Sequence, residues 1–111
     1  KNLSKYGIID YHDKNIKSNI YKVKDLVEKP SPSKAPSNFG IIGRYILKNS
    51  IFKYLKKIKP GKGGELQLTD AIALSIHSNY IYAYKCSGTR YDCGSKKDFM
   101  KAQIAYENYF K

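Results

Sequence analysis

The sequence predicts an α/β layer fold in one domain of 111 residues, 1–111. Two observations carry that reading. Short β-branched and aromatic runs alternate with segments of helical period, too regularly for an all-α or all-β chain. Hydrophobic content is 41%, enough for one modest core and too high for a disordered polymer.

Each element follows from local chemistry. Tyr6 to Tyr11, "YGIIDY", reads as a short strand, and the polar run Asp13 to Asn19 as a turn. Ile20 to Glu28 alternates loosely, turns apolar at Leu26 and Val27, and stops before Pro30, which cannot donate to a ladder. Ser31 to Ser37 is a loop with two prolines. Phe39 to Leu47, "FGIIGRYIL", has the strongest strand composition of all, with Gly40 and Gly43 inside it. Asn49 is placed to cap a helix over Ser50 to Ile58, with Ile51, Leu55 and Ile58 on one face. Pro60 and Gly61 end it. Gly61 to Gly64 is a loop before a second helix, from Glu65 or Leu66 to His77, burying Leu68, Ala71, Ile72 and Ile76. Asn79 to Cys86 is a strand. Ser95 caps a last helix to Phe110, with Phe99, Ala102, Tyr106 and Tyr109 as its stripe.

Composition narrows the function. No run approaches the roughly 18 apolar residues of a membrane span, and the N-terminal residues hold no apolar signal region. A cytoplasmic protein without membrane partners is expected, and a chain that opens almost at once into a strand reads as part of something longer. Cys86 and Cys93 match no zinc pattern and read as buried or half-buried free thiols. The two histidines, His12 and His77, read as surface or packing residues. The formal net charge is +12, which raises nucleic-acid binding. The charge is scattered lysine, with Arg44 and Arg90 the only arginines. Arginine is the side chain favoured for bidentate contact with bases and phosphates. No nucleic-acid partner is therefore expected, and a basic nucleic-acid-binding domain is the least favoured function.

Three motifs carry candidate chemistry. Glu28, Lys29 and Pro30 lie where a strand leaves the sheet, the position at which open α/β sheets bind ligands. Neighbours on a strand point to opposite faces, so Glu28 and Lys29 are poorly placed to pair with each other. A carboxylate there can accept two sugar hydroxyls, and a lysine can reach a phosphate as a point charge. "GTRYDCGSK" sets Arg90, Asp92 and Lys96 among glycines before a helix. An aspartate on such a turn either holds the turn or gives a ligand to Mg²⁺, which takes one or two carboxylates with substrate phosphates. "GKGG" lacks the Gly-Lys-Ser/Thr of a phosphate loop and reads as a flexible connection. Glu65 and Asp70 suit the positive end of a helix dipole.

Taken in order, "VEKP", "APSNFGIIGRYIL", "KPGKGGELQLTDAIA" and "GTRYDCGSK" resemble the sugar-nucleotidyltransferase family, in its uridylyl-transferring branch. The likeness runs from Tyr6 to the last helix. It implies the C-terminal, sugar-binding part of a Rossmann-like mixed sheet flanked by helices, with the nucleotide-binding half absent. The implied reaction joins UTP and glucose 1-phosphate to give UDP-glucose and pyrophosphate, with Mg²⁺. By the same resemblance Glu28 binds glucose hydroxyls and Lys29 the phosphates. Gly7 offers its backbone N–H to the sugar, Gly40 and Ile41 line the sugar pocket, and Asp92 binds metal. Catalytic residues are expected in the missing half, which carries the groups that hold the triphosphate. The chain alone is then inactive, and it belongs to a homo-oligomer or pairs with a separate N-terminal half. A non-catalytic remnant or docking module of a split enzyme is the alternative.

Overall fold

A long antiparallel hairpin organises the structure, a computed structural model that describes residues 3–111. Strands β1 (Gly7–Lys17) and β2 (Ile20–Glu28) pair from Gly7 opposite Glu28 to Lys17 opposite Ile20. The segment expected as a turn from Asp13 to Asn19 is mostly strand. The turn is confined to Ser18 and Asn19. Pairing with β2 carries the ladder through polar residues, with register shifts after Asp10, Tyr11 and Asn15 absorbing the irregularity. Strand β3 (Tyr82–Tyr84) adds antiparallel to the other edge of β2, giving the order β1-β2-β3. It is shorter than the expected Asn79 to Cys86, although Val23 N donating to Ile81 O and Lys85 N to Asn19 O extend its contact. The sheet is antiparallel among the described residues, where a mixed sheet was expected.

Phe39 to Leu47 is not a strand. It touches β1 through one bridge, Ile8 to Gly40, flanked by Ile9 N donating to Phe39 O and Ile41 N to Gly7 O. At Gly43, with φ of 73°, the backbone turns away. Beyond it Tyr45 and Leu47 are exposed and Ile46 fully so. Strand propensity measures fit to a neighbouring surface, and this segment is offered a neighbour only at its start.

Helix α1 (Ile51–Leu55) and helix α2 (Leu68–Ser75) are each shorter than expected. Ser50, not Asn49, precedes α1. Their predicted faces hold: Ile51, Ala71 and Ile72 are buried with Ile9, Val23 and Leu26, and Leu55, Ile58, Leu68 and Ile76 pack around them. Tyr11, Tyr21 and Phe39 close one end, their ring centroids 5.0–5.3 Å apart. Helix α3 (Lys96–Tyr109) begins as expected, with Asp98 N donating to Ser95 Oγ. It buries no residue: Phe99, Tyr106 and Tyr109 of the expected stripe are exposed. The two cysteines are exposed, not buried.

The radius of gyration is 15.9 Å, against about 13 Å for a compact chain near this length. Ile9, Val23, Leu26, Ile51 and Ile72 open onto an apolar trough of about 940 Å³, also lined by Ile42, Tyr45, Leu47 and Ile81. The core is closed by α2 on one side and open on the other. Among the described residues, no helix is long and apolar enough to cross a membrane.

Candidate functional site

The hairpin register sets Gly7 opposite Glu28. A Cβ on Gly7 would lie 3.0 Å from Glu28 Oε2, 3.0 Å from Ile41 Cδ1 and 3.2 Å from Thr69 Oγ1. The missing side chain is therefore the space in which the Glu28 carboxylate, Ile41 and Thr69 meet. Three segments converge there. β2 delivers Glu28 at its last residue. Helix α2, packed on β2, delivers Thr69, whose hydroxyl donates to Glu28 Oε2 at 2.6 Å. The extended segment after Ser37 delivers Ile41, held by Ile41 N donating to Gly7 O at 2.8 Å. Ser37 fixes the start of that segment: its hydroxyl donates to Ile9 O at 2.6 Å and accepts from Phe39 N at 3.1 Å. The Glu28 side chain is 17% exposed, so the carboxylate is half-buried with one edge open.

Lys29 leaves the strand in the left-handed region, with φ of 44°. Its N–H donates to Tyr6 O at 3.1 Å. This break in alternation corrects the expectation that Glu28 and Lys29 are poorly placed to pair. Lys29 Nζ stands 3.7 Å from Glu28 Oε1. The ammonium is well exposed, so the pair contributes little to stability and remains open to an anion. Tyr45 is 41% exposed, and its partial burial, then the Glu28 carboxylate, hold its phenol above the usual range.

The structure thus brings together Gly7, Glu28, Lys29 and Ile41. Gly40 stands beside them but packs elsewhere. A Cβ there would meet Tyr6 Cβ at 3.5 Å and Ile8 Cδ1 at 3.9 Å, ordinary contacts that do not require glycine.

Asp92 lies on a separate exposed turn. Its Oδ1 accepts from Gly94 N at 3.1 Å, and its Oδ2 from the Tyr6 hydroxyl at 3.3 Å. Arg90 donates to that hydroxyl at 2.8 Å, lies 4.7 Å from the centre of the Tyr6 ring, and reaches Asp92 Oδ2 at 4.0 Å. Among the described residues, no three His, Cys, Asp or Glu side chains gather where they could hold a metal ion. Asp92 therefore stands as a single carboxylate with a guanidinium beside it, where Mg²⁺ takes one or two carboxylates together with substrate phosphates.

Thr69, Tyr6 and Ser37 were not singled out by the sequence. Thr69 left one signal: a hydroxyl on the apolar face that also carries Ile72 and Ile76 needs a partner.

The sequence is similar along nearly its whole length to characterised enzymes. A family model described as nucleotidyl transferase matches residues 1–109. A UTP–glucose-1-phosphate uridylyltransferase of Pseudomonas aeruginosa is 45% identical over 109 residues, covering 97% of this chain and 38% of that protein. One of Mycoplasma genitalium is 46% identical over 106 residues, covering 92% of this chain and 35% of that protein. A crystal structure of UDP-glucose pyrophosphorylase complexed with UDP-glucose superposes with a TM-score of 0.87 and 44% identity, covering 96% of this chain and 40% of that one. The chain spans about two fifths of the length of these relatives, and that share does not carry the C-terminal placement expected from the motifs. The shared fold is the α/β nucleotidyltransferase fold, with its antiparallel sheet and helices, and the chain belongs to the nucleotidyl transferase family.

Proposed function

We propose that this chain forms the sugar-phosphate side of a UTP–glucose-1-phosphate uridylyltransferase. The observation that carries the reading is the corner at Gly7. A half-buried carboxylate is fixed by Thr69, walled by Ile41, and flanked by an exposed ammonium. Hydroxyls of glucose would donate to Glu28, the sugar ring would lie against Ile41, with Gly40 beside it, and the Gly7 N–H would donate to the sugar. Lys29 would neutralise phosphate. Relatives 44–45% identical to this chain carry names that fit this ligand.

In the intact enzyme a phosphate oxygen of glucose 1-phosphate attacks the α-phosphorus of UTP. A new P–O bond forms as the bond to the β-phosphate breaks, and pyrophosphate leaves. This chain's share is to hold the sugar and its phosphate in line and to offset their charge. Mg²⁺ would neutralise phosphate charge in that reaction. Asp92 is the carboxylate this chain offers toward it, and further ligands would come from phosphates and from outside the chain. The groups that hold the triphosphate would also lie outside these residues.

Amide NMR of the chain titrated with UDP-glucose tests the reading. Shifts at Gly7, Glu28, Lys29 and Ile41 are expected, lost in Glu28→Ala and weakened in Lys29→Ala, with no pyrophosphate released from UTP and glucose 1-phosphate. A dispersed spectrum that UDP-glucose leaves unchanged would overturn it.

A further inference from the structure

We infer that Thr69 is a positioning residue that fixes the Glu28 carboxylate for sugar recognition, an inference that rests on the proposal that Glu28 accepts glucose hydroxyls. Thr69 is 5% exposed and lies in the first turn of α2. Its neighbours on that face, Ile72 and Ile76, are purely apolar, and a valine would fill the same volume there without a polar group to satisfy. The hydroxyl is used: it donates to Glu28 Oε2 at 2.6 Å, the short range of a bond to an ionised acceptor. That same oxygen is limited on its other side by the Gly7 backbone. The second oxygen faces Lys29.

The two oxygens are thus unequal. Oε2 is locked between a helix and a strand, and Oε1 looks outward. A glutamate side chain has several rotors to freeze when it grips a ligand. Here α2 has frozen them beforehand, so hydroxyls meet acceptors already in place. Thr69 needs no contact with sugar to act in this way.

The test compares UDP-glucose with UDP as probes on the full chain, by NMR titration. The quantity read is how much more tightly UDP-glucose binds than UDP. Thr69→Val should cut that ratio about tenfold, the usual scale of one hydrogen bond to a charged group. Thr69→Ser, which keeps the hydroxyl, should restore most of it. In a Glu28→Gln background, Thr69→Val should have little further effect. A wild-type ratio above one that Thr69→Val leaves unchanged would overturn the role of Thr69 and spare the proposed function. A wild-type ratio of one, or no binding of either probe, would overturn both. Should Thr69→Val not fold, a Thr69→Ser ratio far below wild type with an undisturbed spectrum would also refute the inference.

Discussion

Two carboxylates, Glu28 and Asp92, each lie near Tyr6, and the structure treats them differently. Lys29, next to Glu28, donates its N–H to Tyr6 O, and Asp92 accepts from the Tyr6 hydroxyl. Around Glu28 a strand end, a helix and an extended segment converge, and one oxygen is locked at 2.6 Å. Asp92 sits on an exposed turn that the Tyr6 side chain reaches loosely at 3.3 Å, with both partners of the Arg90–Asp92 pair nearly half exposed. The difference teaches that a site is made by convergence of independently anchored elements, and that residue type is a poor guide to it.

The sharpest way to break the comparison is through the core beneath the Glu28 corner. Ile72→Ala should cost about 2–5 kcal/mol in chemical denaturation, because Ile72 packs against α1 and the sheet. Asp92→Ala should stay within about 0.5 kcal/mol, as exposed turn substitutions do. Equal losses would mean that the turn is as integrated as the corner. Gly7→Ala comes next. Its Cβ would crowd Glu28 and Ile41 at 3.0 Å, at a cost of about 1–3 kcal/mol. The affinity advantage of UDP-glucose over UDP should fall with it. A variant of wild-type stability and affinity would show that the corner yields freely.

Two smaller effects sharpen the contrast at α3, which continues from the Asp92 turn. Ser95→Ala removes the helix cap and should cost about 1 kcal/mol of local stability. Hydrogen exchange should quicken along α3 while amides at Ile8 and Val23 stay protected. Loss of protection at both would tie α3 to the core. The smallest effect is one of pH. The Ser95 hydroxyl, then Lys101, hold the Asp98 carboxyl below its ordinary range. A lowered value contributes stability above the unfolded pKa and loses it as pH falls through the folded one. Helicity of α3 should therefore decline as the pH falls below the ordinary carboxylate range, and Ser95→Ala should shift that decline to higher pH. An unchanged midpoint would refute the assignment.

Much of this was legible before the structure. Ile51, Ala71 and Ile72 announce the core by their spacing, and the Glu-Lys-Pro stop marks the end of β2. Phe39 to Leu47 misled because its composition records what it would pair with, and Phe39, Gly40 and Ile41 at its start are the part that meets β1. Phe99, Tyr106 and Tyr109 misled for the same reason, an apolar stripe left exposed, with Tyr106 and Tyr109 edge-on to Phe110 at the helix end. Thr69 was hidden because its partner is 41 residues away, across a packing contact that no local pattern encodes. The pairing of Glu28 with Lys29 was missed because strand alternation was assumed to continue through a residue whose φ is 44°.

That dihedral sets two demands against each other at one position. Glycine or asparagine would sit at Lys29 with less backbone strain, yet neither carries a charge to a phosphate. Selecting variants of this chain for heat resistance alone would favour the relaxed residue and remove the ammonium in the same step. A screen run only on folding would therefore enrich well-behaved chains without the charge that the proposed function places against phosphate.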